Sequence, residues 1–456
     1  MFGIWGHEKA AEITYYALHA LQHRGQDGAG IVACGGEAWQ IHKDVGLLND
    51  VFSRGELDRL AGQNAIGQIH YAINGNQGFD NVQPHLFQSQ KESMAIVHSG
   101  NIMNAHALRG ELEASGSIFQ TDADTELLAH LIRRHGAVVN EAAIADALGK
   151  IIGAYAFMLM TEDCMYIALD PQGIRPLTIG RLQDAYVVSS ESCAFDLIGA
   201  QKIFEVQPGD LIRIDAAGWQ RKAVIPSERQ RLCAMEYVYF SRPDSDLQHI
   251  NVHAARKRMG MQLAEEAAVR ADVVTGVPDS SISAAIGYAE ASHLPYEIGL
   301  IKNRYVGRTF IKPSQELREQ GVKMKLSPVK GIVAGKRVVM VDDSIVRGTT
   351  SKKIVRMLKE AGAAEVHVRI ASPPVKHPCY YGIDMSTTEE LFAANHTLDG
   401  MCEAIGADSL AYLSPEGLEK AIIAAKKNPD KGICNACFTG NYPVGADILL
   451  QEKVRS

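Results

Sequence analysis

The sequence lacks the long apolar runs and the one-sided charge that mark several protein classes. Its longest apolar run covers residues 151–160, well short of the roughly 18 residues that a membrane-spanning helix needs. The formal net charge is −7, so the chain offers no excess of Lys and Arg for nucleic-acid phosphates. The first ten residues show no basic segment followed by an apolar one, so no secretory signal is expected. We therefore predict a cytoplasmic protein that binds neither membrane nor nucleic acid.

Cysteine is also scarce. Eight cysteines in 456 residues, in a chain with no expected export, indicate reduced thiols or metal ligands rather than a disulfide framework. Hydrophobic residues make up 46% and charged residues 22%, which is ordinary for a globular protein and excludes wholesale disorder. A chain of this length exceeds what one hydrophobic core supports, so two or more domains are expected.

The two halves of the chain differ in pattern. The first half predicts strands at residues 2–6, 66–71, 94–98, 154–160 and 165–169, and helices at 11–21 and 124–134. A polar, charged segment from Arg221 to Arg231 predicts the junction between halves. After it, apolar runs at residues 271–277, 336–341 and 364–370 alternate with helical stretches, which predicts a parallel, doubly wound sheet. The fold class is therefore α/β and α+β, with domains at residues 1–228 and 229–456.

The run from Val338 to Thr350 carries the strongest chemical signal. A buried strand ends in two carboxylates, Asp342 and Asp343, and then passes through a turn rich in Gly and hydroxyl groups into a helix predicted at residues 351–362. Free N–H groups at a helix start suit an anionic phosphate, and paired carboxylates suit ribose hydroxyls or Mg²⁺. The alternative is a solvated Asp-Asp turn before an ordinary helix cap. The full thirteen-residue run favours the phosphate site.

Three more stretches extend this signal, at residues 235–245, 276–281 and 300–311. Together with Val338 to Thr350, they closely resemble the glutamine phosphoribosylpyrophosphate amidotransferase family, also called amidophosphoribosyltransferases. Members of that family make 5-phosphoribosylamine and pyrophosphate from phosphoribosyl pyrophosphate (PRPP) and glutamine, at the first step of de novo purine biosynthesis. The resemblance covers nearly the whole chain. It implies a glutaminase-type domain of the N-terminal nucleophile hydrolase class, followed by a type I phosphoribosyltransferase domain.

The resemblance implies a set of PRPP-binding residues. They are Asp279, Ser280, Lys302, Arg304, Tyr305, Asp342, Asp343, Ser344, Arg347, Gly348, Thr349 and Thr350. Of these, Ser280, Asp342 and Asp343 would hold Mg²⁺. The segment 302–310 resembles the family's mobile loop that closes over bound PRPP and excludes water. On its own, a loop rich in Lys and Arg is more often a solvated surface.

The cysteines suggest a second cofactor. Cys434 and Cys437 form a C-x-x-C pair, which alone is compatible with zinc, redox chemistry or coincidence. The family resemblance adds Cys233 and Cys379, because some members hold a [4Fe–4S] cluster with four cysteines at these places. A Cys₄ zinc site and unliganded core cysteines are the alternatives. The other four, Cys34, Cys164, Cys193 and Cys402, are interpreted as small hydrophobic residues.

The amino-terminal half departs from the family at the glutaminase site. Family members open with Cys-Gly and a small apolar residue before Phe-Gly-Ile, and the Cys is the nucleophile. This sequence opens Met1-Phe2-Gly3-Ile4, so we predict that the glutaminase nucleophile is lacking. A misplaced start codon is the alternative, and the other glutaminase positions must decide between them.

Two further positions differ from the family pattern. His70 stands where an Arg would grip the substrate carboxylate, and Ser99 stands where an Asn amide would stabilise the oxyanion. Gly100 and Asp124, the expected partner of the substrate amine, are retained. We therefore predict a degenerate glutaminase on a preserved scaffold.

These departures predict that glutamine use is impaired and that ammonia is the nitrogen donor. The alternatives are a full glutamine-dependent enzyme and a non-catalytic paralogue that binds PRPP or nucleotides. By resemblance, purine nucleotide inhibitors and a homotetramer are also expected.

Overall fold

The computed structural model describes residues 1–36, 38–72, 78–136, 138–227, 229–303, 326–385, 387–423 and 431–445. Strands dominate the first half: β1 (Phe2–Trp5), β2 (Gly28–Gly35), β3 (Ala38–Val45), β4 (Asn64–His70), β5 (His85–Phe87), β6 (Met94–Ile102), β7 (Gly153–Met160), β8 (Cys164–Leu169), β9 (Thr178–Leu182), β10 (Ala185–Ser189), β11 (Gln201–Glu205), β12 (Asp210–Asp215) and β13 (Gly218–Ala223). The helices of this half are α1 (Ala10–Ala20), α2 (Leu48–Val51), α3 (Arg54–Arg59), α4 (Ala105–Ala114), α5 (Asp124–His135), α6 (Glu141–Lys150) and α7 (Cys193–Ile198).

Two sheets stack face to face in this half, with helices on both outer surfaces. The first sheet has the order β11-β9-β10-β1-β4-β2-β3, and the second has the order β13-β12-β8-β7-β6-β5. A core that includes Trp5, Val32, Val97 and Met158 fills the space between the sheets. Helix α1 covers the outer face of the first sheet, and α4, α5 and α6 cover that of the second. This four-layer arrangement confirms the layered glutaminase-type fold that the resemblance implies.

The strand predicted at the chain start lies in the centre of the first sheet. β1 pairs antiparallel with β10 on one side and with β4 on the other. Its side chains alternate, as in any strand: Phe2 and Ile4 pack against the helix layer, and Trp5 packs between the sheets. Burial on both faces explains the unbroken apolar pattern of this segment.

The second half begins with β14 (Gln230–Cys233) and one turn of π-helix, Glu236–Phe240. Its other strands are β15 (Asp246–Leu247), β16 (Ile250–Asn251), β17 (Val273–Gly276), β18 (Leu300–Lys302), β19 (Leu326–Pro328), β20 (Arg337–Asp342), β21 (Glu365–Ile370), β22 (Ser409–Tyr412) and β23 (Lys431–Cys434). Its helices are α8 (Val252–Glu266), α9 (Ile282–Ser292), α10 (Lys330–Val333), α11 (Thr349–Glu360), α12 (Phe392–Asn395), α13 (Leu398–Ile405), α14 (Pro415–Ile423) and α15 (Ala436–Thr439).

A parallel sheet of order β17-β20-β21-β22 is the centre of this half. Helices α11 and α13 contribute to the core on one face, and α8, α9 and α14 contribute to the core on the other. This arrangement confirms the doubly wound fold predicted from the alternating pattern. None of the described helices is long and apolar enough to cross a bilayer.

Candidate active sites

The loop between β20 and α11 forms the predicted phosphate site. Helix α11 begins at Thr349, two residues before the predicted start, because Gly348 adopts a left-handed conformation with φ 73° and serves as the N-cap. A Cβ at Gly348 would also lie 2.9 Å from the ring of Phe392, so glycine is required here for both reasons. Thr349 and Thr350 are exposed in the first turn, beside backbone N–H groups that have no partner within the helix. The geometry suits an oxyanion.

The carboxylates of Asp342 and Asp343 lie side by side at the end of β20. Asp342 Oδ1 accepts hydrogen bonds from the hydroxyl of Ser281 at 3.0 Å and from the backbone N–H of Asp343 at 2.9 Å. Asp343 accepts hydrogen bonds from the hydroxyls of Ser280 and Ser344, the latter at 2.8 Å. Burial raises the pKa of both carboxyls, and the charge of Asp343 raises that of Asp342 further.

This donor set fits a divalent cation. Oxygen atoms are the ligands that Mg²⁺ prefers, and two buried carboxylates that repel each other gain from a positive charge between them. Asp342 and Asp343, with Ser280 beside them, are therefore able to hold the predicted Mg²⁺.

Three other predicted PRPP-binding residues, Asp279, Lys302 and Arg347, form ion pairs on the surface. Lys302 Nζ lies 2.7 Å from Asp279 Oδ2, and both side chains are exposed. Arg347 pairs with Glu390 at 2.6 Å on the surface. Arg304 and Tyr305, and the loop predicted to close over PRPP beyond residue 303, lie outside the described residues.

One further charged residue, not indicated by the sequence pattern, acts electrostatically on this site. Arg256 is buried, and its guanidinium donates to the backbone carbonyls of Tyr237 and Ser241 at 2.7 Å each. Its charge lowers the pKa of Asp343, against the larger raising effect of burial. Position 256 stands in an ordinary helical pattern, so nothing in the sequence signalled this role.

The four predicted cluster cysteines gather at the junction of the two halves. β14 and β23 pair in parallel, with Cys233 opposite Cys434. Cys437 and Cys379 lie close enough to the other thiols for mutual electrostatic effects. Burial raises the pKa of Cys434 to about 12, and the thiols are not joined by disulfides.

Four cysteine thiols are the donor set that a [4Fe–4S] cluster needs, so these residue types fit the group chemically. Within the described part of the chain, no three His, Cys, Asp or Glu side chains are arranged to hold a single metal ion. The cluster stays a prediction.

A cavity of about 260 Å³ in the first half, which we call the amino-terminal cavity, brings the predicted glutaminase residues together. Its lining includes His70, Ser99, Gly100 and Asp124, which come from β4, β6 and the start of α5. Gly100 has φ 141°, and a Cβ there would lie 2.0 Å from the carbonyl oxygen of Ala154. A cavity is thus present at the predicted glutaminase site. The absence of a cysteine nucleophile stays a prediction.

The amino-terminal cavity is also lined by buried polar groups. His98 is stacked on Phe157 with 4.4 Å between ring centroids, and burial lowers its pKa to about 3. The amide of Gln68 donates to the carbonyl of His98 at 2.7 Å. Burial raises the pKa of Asp124 to about 6, although its Oδ2 accepts the backbone N–H of Ile102 at 2.9 Å.

A buried ion network joins this cavity to the second half. Arg24 donates to both oxygens of Glu236, at 2.8 and 3.0 Å, and also contacts Glu191. Arg175 lies 3.5 Å from the same Glu236 and donates to the backbone carbonyl of Tyr381 at 2.8 Å. The charge of Arg24 holds the pKa of both carboxyls below the usual range, despite opposing burial. The sequence pattern does not indicate this network, although Glu236 lies within residues 235–245, one of the stretches that carry the family resemblance.

Comparisons with known proteins agree with the two-part description. Residues 73–196 match the family model of the glutamine amidotransferase domain, and residues 248–381 match that of the phosphoribosyl transferase domain. An amidophosphoribosyltransferase of Bacillus subtilis (strain 168) is 60% identical, over 97% of this chain and 93% of that protein. One of Staphylococcus aureus (strain Mu50) is 49% identical, over 98% of this chain and 90% of that protein.

Two solved structures share the fold throughout. One, described as the allosteric regulatory enzyme of purine biosynthesis, aligns with TM-score 0.93 and 60% identity over 97% of this chain and 96% of that one. The other is glutamine PRPP amidotransferase from Bacillus subtilis complexed with ADP and GMP. It aligns with TM-score 0.92 and 59% identity over 97% of each chain.

Proposed function

The chain belongs to the amidophosphoribosyltransferase family of purine biosynthesis, and we propose that its own nitrogen donor is ammonia rather than glutamine. One observation carries this proposal: the two altered positions, His70 and Ser99, both line the amino-terminal cavity beside the retained Asp124. Their common position in the cavity lining supports the proposal, because the family resemblance assigns these two positions to the substrate carboxylate and the oxyanion.

Each change removes a specific interaction. An imidazole cannot form the two parallel hydrogen bonds that a guanidinium gives to a carboxylate. His70 therefore binds the carboxylate of a glutamine substrate more weakly than an Arg would. Ser99 replaces an amide donor with a shorter hydroxyl. In other enzymes, the loss of one oxyanion donor costs roughly 3–4 kcal/mol of transition-state stabilisation. The transferase half shows no comparable loss, since its acidic pair, its glycine and its hydroxyl-rich helix start are all present.

The transferase residues take separate roles in this proposal. The hydroxyls of Thr349 and Thr350, with the backbone N–H groups of the first turn of α11, bind the 5′-phosphate. The carboxylates of Asp342 and Asp343 face the ribose, where they stabilise positive charge as the bond to pyrophosphate breaks. Lys302 stabilises the departing pyrophosphate.

Mg²⁺ held by Ser280, Asp342 and Asp343 would neutralise developing charge on the leaving group. Closure of the segment 302–310 over PRPP stays part of this proposal.

A paired donor assay tests the proposal. Pyrophosphate release from PRPP and Mg²⁺ is measured with ammonium chloride or with glutamine, for the printed sequence and for a chain extended by Cys-Gly before Met1. We expect ammonium to support release in both chains, and glutamine to support at most a few per cent of that rate. Glutamine rates equal to the ammonium rates in the extended chain would refute the loss of glutamine use.

The cysteine cluster has its own test. We expect anaerobically purified protein to contain about four iron and four sulfide per chain, and Cys437→Ser to lose both. Cys402→Ser is the matched control, because Cys402 lies on α13 outside the group of four. Zinc in place of iron and sulfide would support the Cys₄ zinc alternative.

The regulatory part of the proposal rests on the related structure described with ADP and GMP. We propose that purine nucleotides inhibit this chain as well. We also propose that it assembles into a tetramer, as members of the family do. Inhibition of ammonium-dependent release by added ADP and GMP, and light scattering for the mass, test these two points.

A further inference from the structure

The amino-terminal cavity contains more hydrogen-bond acceptors than the chain itself satisfies. Among the described residues, Gln68 Oε1, His98 Nε2 and Thr125 Oγ1 are buried without a hydrogen-bond partner. All three residues line the cavity. Buried polar atoms are nearly always paired in folded proteins, so a group of unpaired ones around one space indicates a missing partner.

The protonation state of His98 makes its free nitrogen an acceptor. The ring is hydrogen-bonded to the backbone of Ala154, and its Nε2 has no partner, so Nδ1–H is the group that donates to the Ala154 carbonyl. Burial lowers the pKa of His98 to about 3, so the ring is neutral near pH 7. In a neutral ring with the proton on Nδ1, Nε2 presents a lone pair.

Asp124 adds a negative charge that the cavity does not balance. The nearby cations Arg24 and Arg175 are paired with Glu191 and Glu236, so their charges are already matched. Arg109 lowers the pKa of Asp124, but by less than burial raises it. The Arg109 guanidinium also contacts two other carboxylates, those of Glu113 and Asp122. A carboxylate in this setting favours a bound cation.

We propose that the amino-terminal cavity binds an ammonium ion, held by Asp124, Gln68, His98 and Thr125. The inference rests on the proposed use of ammonia and gives the altered glutaminase half a role in supplying it. Ammonium has four N–H donors and a unit positive charge, which match three unpartnered acceptors and one carboxylate. With His70 in place of Arg, the cavity no longer carries the group that would bind an amino-acid carboxylate.

Kinetics with ammonium as the varied substrate test this assignment. Asn in place of Asp124 keeps an oxygen to accept the Ile102 N–H, so the local fold is preserved. We expect Asp124→Asn to raise the KM for ammonium about tenfold and Thr125→Val, a substitution of equal shape, about twofold, with the KM for PRPP unchanged. Asp196→Asn is the matched control, because Asp196 is exposed on α7 away from the cavity. Unchanged ammonium KM values in both cavity variants would overturn the proposal.

A second measurement does not depend on activity. The thermal unfolding midpoint is compared in ammonium chloride and in potassium chloride at equal concentration. A ligand that binds only the folded state raises the midpoint, so we expect a rise of about 1 °C in ammonium. The rise should vanish in Asp124→Asn and persist in Asp196→Asn. Equal midpoints in both salts would refute ammonium binding, whereas efficient glutamine use with the rise intact would refute only the proposed donor.

Discussion

The two candidate sites of this chain differ in how their polar groups are satisfied. In the transferase site, Asp342 and Asp343 each accept hydrogen bonds from neighbouring serine hydroxyls. In the amino-terminal cavity, Gln68 and His98 have acceptor atoms that find no partner among the residues that the structure describes. The acidic pair is thus hydrogen-bonded by the loops around it, whereas the cavity presents open acceptors to the ligand proposed above.

The buried ion network joins the amino-terminal cavity to the second half of the chain, and breaking it should have the largest effect. Glu236→Gln leaves Arg24 and Arg175 short of a counter-charge in a buried place, so we expect a loss of about 3–5 kcal/mol of unfolding free energy. Urea denaturation measures this loss. The control is Glu290→Gln, which removes a surface pair with Lys257 and should cost less than about 1 kcal/mol. Equal effects of the two substitutions would contradict the structural role of the network.

The acidic pair should matter for catalysis and not for folding. We expect Asp343→Asn to lower pyrophosphate release roughly 100-fold with ammonium as donor, because a carboxylate that we propose as a Mg²⁺ ligand is lost. Without Mg²⁺, the thermal unfolding midpoint of this variant should be no lower than that of the unsubstituted chain. The substitution removes the repulsion between the carboxylates of Asp342 and Asp343. Asp399→Asn, an exposed carboxylate on α13, should leave both quantities unchanged. A variant of Asp343 with full activity would place the reaction elsewhere.

Restoring the family residues should convert the cavity back toward glutamine. In the Cys-Gly-extended chain, His70→Arg with Ser99→Asn should lower the KM for glutamine about tenfold, because a guanidinium grips the substrate carboxylate in two parallel hydrogen bonds. Glutamine-dependent pyrophosphate release measures this. His106→Arg adds the same charge on an exposed position of α4 and should have no such effect. No gain in the double variant would contradict the assignment of reduced glutamine use to these two positions.

The smallest effect concerns pH and isolates Asp124. Burial raises its pKa from 3.8 to about 6, so the folded state holds this proton more tightly than the unfolded state. Its contribution to stability is therefore present below about pH 4 and is lost as the pH rises to about 6.

The unfolding free energy of the native chain should accordingly fall relative to Asp124→Asn by on the order of 1 kcal/mol between pH 4 and 6.5. Urea denaturation at several pH values measures the difference in unfolding free energy between the two proteins. Both proteins contain His98, whose pKa is lowered by burial, so its opposite pH dependence cancels in this difference. A difference that rises with pH would contradict the burial of this carboxyl.

Most of the architecture could be predicted because its signals are local. The strand before the acidic pair and the helix after it are close together in sequence. The structure places both elements within two residues of their predicted bounds. The strand predicted at residues 2–6 is likewise present as β1, because its apolar residues are adjacent in sequence. The one shift in this region, the earlier start of α11, depends on the left-handed conformation of Gly348, which the pattern of apolar residues does not encode.

The interior polar groups could not be predicted, because their partners are distant in sequence. Arg24 is 167 residues from Glu191 and 212 from Glu236. Periodicity describes which face of an element is buried, but it does not say which buried charges meet. The same limit applies to Gln68 and His98, whose unpaired atoms emerge only when β4 and β6 are placed around one cavity.

The lining of the amino-terminal cavity also includes Phe240 and Gly382, which belong to the other half of the chain. A Cβ at Gly382 would lie 2.7 Å from the carbonyl oxygen of Gly100, so the two halves fit together there with no space for a side chain. An excised second half would expose Glu236 and a surface shaped for its neighbour. The first half therefore supports the structure of the second, whatever reaction its own cavity performs.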